Sequence, residues 1–331
     1  MKRIGKLCLL PFFFVGTLLW AGLYLNVDFV LSEKLREVSI ENPASDTLFF
    51  ARPVAIRHDK ENVYVLDSID CEIRVFSKTG SFCYSIGKKG QGPAEFIQPN
   101  DFCLFNDNIF VSDAGNMRIQ VLDRKGKYLR GFRTLHPPRK ILVLDEKNII
   151  ISHLPRSNYE KNKKEYLVQC FAWDGSQKWE AIEALRDDDY AVNTMINDHF
   201  LIAGFEGAIF LRKCNDPKIH FLDKKGVVKS IIIDKKYHLK TIAVKTRRGE
   251  TKELTSLCWS CDINANDLYL LDSEFIDNDL KSGKKVVIIN RDGHLRGLLE
   301  FPSRLRKISI DGNQIYVIDS EYKLRYFKVD K

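Results

Sequence analysis

One unit of about 45 residues recurs six times along this chain, and this repeat constrains the fold more than any other feature. A typical copy begins with an apolar run, passes a short polar turn, continues with a second apolar run, and gives a third run that leads through a turn to a fourth. Four short β-rich runs in a period of ~40–50 residues are typical of one β-propeller blade. The sequence therefore predicts an all-β, six-bladed β-propeller.

The second run is the most regular part of the unit, and four of its six copies end in Asp. The six copies, in chain order, are Val63–Asp67, Ile109–Asp113, Ile149–His153, Ala208–Arg212, Leu268–Asp272 and Ile315–Asp319. Asp67 and Asp113 are 46 residues apart. The third and fourth copies carry His153 and Arg212 in place of Asp, so their assignment rests mainly on the period.

The innermost strands, which line the axis of a propeller, are predicted from the first run of each copy. They are Val54–His58, Phe102–Phe105, Ile141–Leu144, Phe200–Ala203, Leu257–Ile263 and Lys307–Ile310. The sixth copy has no fourth run after its third, which would leave an open sheet edge. Residues 37–41 alternate like a half-buried strand, and we expect them to supply this missing outer strand and close the ring.

The N-terminal segment is the one long uncharged stretch. Lys2, Arg3 and Lys6 precede a run from Leu7 to Val27, about the length that a helix needs to cross a bilayer. The basic flank should stay in the cytoplasm. We therefore predict a single-pass inner-membrane anchor over residues 1–30, a tether over 31–36, and a periplasmic propeller over 37–331. Residues 19–23 fit a cleavage site poorly, which favours an uncleaved anchor over a cleaved signal peptide.

The second blade carries the most specific motif. Its residues 90–96, Gly-Gln-Gly-Pro-Ala-Glu-Phe, and 113–123, Asp-Ala-Gly-Asn-Met-Arg-Ile-Gln-Val-Leu-Asp, resemble an NHL repeat. By blade rhythm, residues 37–331 are similar to the bacterial six-bladed propeller proteins with NHL-like repeats. The resemblance implies a propeller that binds proteins or ligands, and it carries over no catalytic residues.

Three polar features of the sequence each have a structural and a functional interpretation. Asp113, Asn116 and Arg118 are interpreted as groups that hold a blade together, rather than as ligand contacts. The Gly90–Pro93 stretch, beside Lys88 and Lys89, is interpreted as a turn between blades. A phosphate-binding loop would need a helix after it, and no helix pattern follows this stretch. The triplet Asp187-Asp188-Asp189 is interpreted as a solvated loop rather than a cation site.

Cysteine and histidine give no metal or redox pattern along the sequence. Cys258 and Cys261 form a Cys-x-x-Cys pair, but in a strand these side chains would point to opposite faces, ~10 Å apart and beyond disulfide reach. Seven cysteines lie beyond the N-terminal segment, an odd number that excludes complete pairing within one chain. The seven histidines are dispersed, without the spacing of two ligands on one element.

Charge is diffuse and gives little indication of a partner. The chain has 52 Lys and Arg against 44 Asp and Glu, for a formal charge of +8. Nucleic-acid binding usually shows a concentrated basic stripe, so we do not expect it here. Two basic inserts, Arg156–Lys164 and Lys235–Thr255, are interpreted as solvated hairpin extensions or as partner-binding loops.

The functional prediction is a membrane-anchored, extracytoplasmic module that binds a protein, peptide or ligand without catalysis, cofactor or metal. The alternative is a metal-dependent lyase or lactone hydrolase with ligands in the central channel. That alternative needs inward-facing acids or histidines. The predicted innermost strands offer His58, Cys261 and Asp262 but no matching set of carboxylates.

Overall fold

The computed structural model describes residues 34–38, 49–155, 164–204, 207–233, 240–265, 267–276 and 279–330. These residues form six four-stranded antiparallel sheets, which confirms the predicted six-bladed propeller. The predicted anchor, residues 1–30, lies outside the described residues, as do residues 156–163 of the first basic insert.

Among the residues that the structure describes, no helix has the length and apolar character needed to span a membrane.

Blades 1 to 3 follow one another along the chain, each with its innermost strand first. Blade 1 consists of β2 (Pro53–His58), β3 (Asn62–Asp67), β4 (Glu72–Ser77) and β5 (Phe82–Ile86). Blade 2 consists of β6 (Asp101–Phe105), β7 (Asn108–Asp113), β8 (Arg118–Asp123) and β9 (Tyr128–Arg133). Blade 3 consists of β10 (Lys140–Asp145), β11 (Asn148–Ser152), β12 (Tyr166–Phe171) and β13 (Gln177–Glu183).

Blades 4 to 6 repeat this order, with additions. Blade 4 consists of β14 (His199–Gly204), β15 (Gly207–Arg212), β16 (Lys218–Asp223) and β17 (Gly226–Ile232). A separate hairpin, β18 (Lys240–Lys245) and β19 (Thr251–Ser256), follows it. Blade 5 consists of β20 (Ser260–Asn264), β21 (Asp267–Ile276), β22 (Asp279–Asn290) and β23 (Leu295–Glu300). Blade 6 consists of β24 (Leu305–Asp311), β25 (Gln314–Asp319), β26 (Leu324–Asp330) and β1 (Lys34–Glu37).

The second strand of each blade is apolar because both of its faces are covered. In β3 the last five residues are all buried, and β7 and β25 show the same pattern. One core cluster joins Tyr64 and Leu66 of blade 1 to Phe102 and Val111 of blade 2. Since each blade packs between two neighbours, both faces of its central strands are covered. These strands are therefore apolar at successive positions and do not alternate between apolar and polar residues.

The outer strand of blade 6 comes from the N-terminal side of the chain, and it overlaps the predicted range 37–41 at Glu37. Strand β1 pairs antiparallel with β26, with Leu35 opposite Val329 and Glu37 opposite Phe327. Residues 34–36, which were assigned to the tether, belong to the strand, and the Val38 N–H still donates to the Tyr326 carbonyl oxygen. Residues 39–41 of the predicted range lie outside the described residues. The segment Lys34-Leu35-Arg36-Glu37 also alternates, and Leu35 packs against the blade 6 core. Two overlapping alternating segments could not be separated without the partner strand.

The innermost strands of adjacent blades pack side by side around the central axis, and β24 lies beside β2. We call the face at which these strands begin the upper face. Antiparallel order places the loops between blades, and the loops between second and third strands, on the upper face. Helix α1 (Tyr190–Asn197) and the β18–β19 hairpin both interrupt such inter-blade loops.

Candidate functional site

The upper mouth of the central channel holds a group of charged side chains from several blades. Side chains along each innermost strand point alternately toward the blade core and away from it. Phe102 therefore packs in the blade core, while the neighbouring Asp101 contacts side chains of other innermost strands. Asp101 is fully buried. Its carboxylate lies 2.9 Å from Arg57 Nη2 and 3.9 Å from Lys140 Nζ. The predicted innermost strands had included Arg57, but Asp101 and Lys140 lay just before two of them.

Two lysines of the channel line one small cavity of about 30 Å³, together with Ser260 and Phe200. Lys140 approaches Asp101, whereas the Lys307 ammonium makes no hydrogen bond or ion pair with any residue that the structure describes. Burial lowers the pKa of Lys307 well below its usual value, and the nearby positive charges of Lys140 and Lys213 lower it further. A buried amine in this state is stabilised by an anion or loses its proton.

A second ion-pair cluster lies at the upper ends of blades 3 and 4. Asp198 accepts from Arg139 at 2.5 Å and from Lys213 at 2.7 Å. Burial alone would raise the pKa of Asp198, but Lys213 and Arg139 outweigh it and hold that pKa far below its usual value. Among the described residues of the upper mouth, five cationic side chains therefore face two carboxylates: Arg57, Arg139, Lys140, Lys213 and Lys307 against Asp101 and Asp198.

The lower end of the channel is wider and differs in charge. A cavity of about 330 Å³ is lined there by His58, Asp262 and Asp311, among other residues. Asp262 accepts the Ile310 N–H at 2.7 Å, and burial raises the pKa of its carboxyl group. His58 Nε2 lies 2.9 Å from the Ile310 carbonyl oxygen. Of the three predicted channel residues, His58 and Asp262 line this cavity and bond to the backbone of blade 6, whereas Cys261 borders the small cavity at the upper mouth.

The inserts of blades 3 to 5 are joined into one structure on the upper face. Val192 and Ile196 of α1 pack with Leu254 of the β18–β19 hairpin in a small core cluster of their own. Lys252 Nζ lies 2.7 Å from Asp187 Oδ1. The hairpin predicted as a solvated extension is thus fixed to its neighbour.

The acidic triplet has structural partners. Asp189 caps the N-terminus of α1 by accepting the N–H groups of Ala191 and Val192, and it also accepts the Arg247 N–H at 2.7 Å. These N–H groups lower its pKa. The three acids lie in a loop as predicted and Asp188 is exposed, but Asp187 and Asp189 are bonded to the hairpin and the helix, which the sequence did not indicate.

The motif residues of blade 2 bond to one another. Asp113 is fully buried and accepts from Arg118 Nε at 2.7 Å and from Asn116 Nδ2 at 2.9 Å. Its other oxygen accepts the Ile97 N–H, which fixes the loop from blade 1 to the end of β7. The Gly90–Pro93 stretch lies in this loop, where Glu95 accepts the Gly92 N–H. These contacts match the interpretation of these residues as blade-stabilising groups.

The cysteine pair does not have the geometry assumed from sequence. Cys258 precedes β20, and only Cys261 lies within that strand. Both are buried in one core cluster between blades 4 and 5. Burial raises the pKa of Cys258 well above its usual value, and the adjacent Cys261 thiol raises it further. The argument that the two side chains point to opposite faces was therefore wrong, since it required both residues to be in the strand.

Histidines that are dispersed in sequence meet in space. Among the residues that the structure describes, the one group of three potential metal ligands is His136, His153 and Glu165. They lie in the loop before β10, after β11 and before β12, so the group belongs to blade 3 rather than to the channel. Sequence spacing missed this group because its members lie on three different connections.

A family model described as 6-bladed beta-propeller (DUF5128) matches residues 43–253, which is more than half of the chain. The chain belongs to this family. The structure agrees with the family's description, since its described residues form six blades. No curated protein matches the chain.

Several solved structures share the propeller fold. A Bacteroides fragilis protein inferred to be exported has a TM-score of 0.61 and 13% identity, over 92% of this chain and 96% of that one. The virginiamycin B lyase of Staphylococcus aureus has a TM-score of 0.53 and 12% identity, over 90% and 99%. The WD40 domain of Neurospora crassa Pan2 has a TM-score of 0.52 and 7% identity, over 90% and 96%. Identities this low show a common fold and no common function.

Proposed function

We propose that this member of the 6-bladed beta-propeller family is a binding module without catalysis, whose upper face takes a protein partner that presents an acidic side chain to the channel mouth. The observation that carries the proposal is Lys307, which has no ion-pair partner among the described residues and lies beside Lys140 in a cavity of about 30 Å³. A cavity of this size holds a group no larger than the tip of a carboxylate. A partner's Asp or Glu would supply the counter-charge that the described residues lack.

The surface around this mouth supports a protein as the partner. Large apolar side chains are exposed on its loops, with Leu135 74% and Ile69 56% accessible. Met117 and Tyr190 are also exposed there. Apolar side chains that ring a charged, buried centre are a common feature of protein interfaces. The fixed inserts of blades 3 to 5 add a rigid wall on one side of this face.

Site-specific photocrosslinking in the native cell tests the face and the charge together. A photoreactive amino acid at Leu135 or Ile69 should capture a defined protein, whereas one at Leu129, on the outer strand of blade 2 and 47% exposed, should not. The Lys140→Met, Lys307→Met double variant should lose the Leu135 adduct because the acidic contact is removed. Lys125→Met, in the exposed turn after β8, is the matched control and should keep it.

Adducts that form equally from Leu129, or that persist in the double variant, would contradict this proposal. A third outcome would also exclude the protein partner: the adduct persists in the double variant, while acetate or chloride binds to the wild type and not to the double variant. In that case the channel takes a free anion.

We also propose that residues 1–30 anchor the chain and that the propeller lies in the periplasm, with the NHL-like character of blade 2 as part of the scaffold. The basic residues Lys2, Arg3 and Lys6 before the apolar run support this orientation. The similar Bacteroides fragilis protein is inferred to be exported, which agrees with it. Alkaline phosphatase fused after residue 35 should be active and a cytoplasm-dependent reporter inactive; the reverse result would exclude the orientation.

A further inference from the structure

We propose that His136, His153 and Glu165 form a binding site for a divalent transition-metal ion, with Zn²⁺ as the best match to the donor set. Their ligand atoms all lie within 4.8 Å of one another. Two imidazoles and one carboxylate are a donor set that Zn²⁺ takes with a fourth position open. This site is separate from the channel mouth, and its test does not depend on the proposed function.

The local structure prepares these side chains for a cation. His153 is only 2% exposed, and its Nδ1 lies 3.0 Å from the Leu154 carbonyl oxygen. A carbonyl oxygen can only accept, so Nδ1 carries the proton and Nε2 keeps its lone pair in the neutral ring. Metal-binding histidines are commonly oriented in this way by a backbone carbonyl.

The second imidazole is held against the first. The rings of His136 and His153 stack with their centroids 4.1 Å apart and an interplanar angle of 13°. Glu165 Oε1 lies 4.0 Å from His153 Nδ1 and adds a negative charge beside the pair. Ligand atoms on one tetrahedral Zn²⁺ are about 3.4 Å apart, somewhat closer than the 4.8 Å limit within which these ligand atoms lie.

The position in the blade gives the site a structural role. His153 lies directly after β11, the second strand of blade 3. The second strands of blades 1 and 2 end with Asp67 and Asp113 at the corresponding place. Asp67 accepts the Arg52 N–H and Asp113 accepts the Ile97 N–H, so each fixes the incoming inter-blade loop to its blade. Blade 3 lacks this carboxylate. A metal held by His136 of the loop and by His153 and Glu165 of the blade would make the equivalent connection.

Metal titration of the full chain in detergent, after removal of metal with a chelator, tests the proposal. Competition with a chromophoric chelator should give one tightly bound Zn²⁺ per chain, and Co²⁺ should give the visible absorption of a four- or five-coordinate site. His136→Asn, His153→Gln and Glu165→Gln should each weaken Zn²⁺ binding by about 10-fold or more. Zn²⁺ should raise the denaturant midpoint of the wild type but not of these variants.

The matched control is His220→Gln, a histidine of blade 4 whose Nε2 lies 3.3 Å from Asp216 Oδ2 and whose loss should leave Zn²⁺ binding unchanged. His136→Asn is less prone to disturb folding than His153→Gln, because His136 is only partly buried and His153 is buried. Equal Zn²⁺ affinity in the wild type and in a folded His136→Asn variant would overturn the proposal. So would wild-type Zn²⁺ binding no stronger than that of a variant that carries all three substitutions.

Discussion

At the residue scale, His199 shows how burial fixes a protonation state in this propeller. Its Nε2 lies 2.6 Å from Ser152 Oγ and its Nδ1 lies 2.7 Å from the Asn197 carbonyl oxygen, so the ring connects blade 4 to blade 3. Burial lowers the pKa of His199 from 6.5 to about 3. The ring is therefore neutral in the folded protein at pH values where it is protonated in the unfolded chain.

This difference predicts a loss of stability in mild acid. Between pH 6.5 and about 3 the unfolded state binds the proton and the folded state does not, so the free energy of unfolding falls as the pH falls. The slope from this one group approaches about 1.4 kcal/mol per pH unit. His199→Gln should cost about 1–3 kcal/mol at pH 7 through its lost hydrogen bonds, yet show a shallower decline between pH 6 and pH 4.

Urea unfolding of both proteins at several pH values measures the two slopes. Asp198 next to it has a lowered pKa, so its stabilising effect is lost only as the pH falls below its unfolded pKa of about 4. The window from pH 6 to pH 4 therefore isolates the histidine from this carboxylate. Parallel curves in that window would mean that His199 is already protonated in the fold.

At the element scale, the strands were predictable and their connections were not. The run Val63–Asp67 lies within β3 and Ile315–Asp319 lies within β25, because a fully covered strand has to be apolar at every position. The start of strand β1 was harder to place, since residues 34–37 and 37–41 both alternate and only the pairing with β26 shows that the strand includes residues 34–36.

The candidate sites depend on contacts between loops and inserts that are distant along the chain, and a single sequence does not show which of these segments meet. Leu254 of the hairpin meets Ile196 of α1 across 58 residues, and Lys252 meets Asp187 across 65. His136, His153 and Glu165 likewise come from separate loops that only the blade geometry brings together. Local periodicity therefore predicts the blades, while contacts between inserts follow from tertiary packing.

At the scale of the whole molecule, the anion binding proposed for the channel mouth carries a cost in stability. Lys307 lies on the innermost strand of blade 6, and the positive charges of Lys140 and Lys213 act on it from other blades. An isolated buried charge is unfavourable, and it is retained where a ligand neutralises it. The closed ring of blades therefore brings together several cationic side chains that no single blade could supply.

Lys307→Met should therefore stabilise the free protein while weakening anion binding. The methionine keeps the length of the side chain and removes the buried amine, so we expect a gain of about 1 kcal/mol or more at pH 7. Because the pKa of Lys307 is lowered in the fold, the unfolded chain binds the proton more readily, and the gain should shrink as the pH rises toward the unfolded pKa of about 10.4.

Denaturant unfolding at pH 7 and pH 9.5, with and without acetate, measures both effects. Acetate should stabilise the wild type by occupying the lysine cavity and should leave Lys307→Met unchanged. Lys125→Met, in an exposed turn, should change stability by no more than about 0.5 kcal/mol. If Lys307→Met is instead destabilising at pH 7, the ammonium already has a favourable partner within the protein, and the channel mouth has no unmet positive charge to offer.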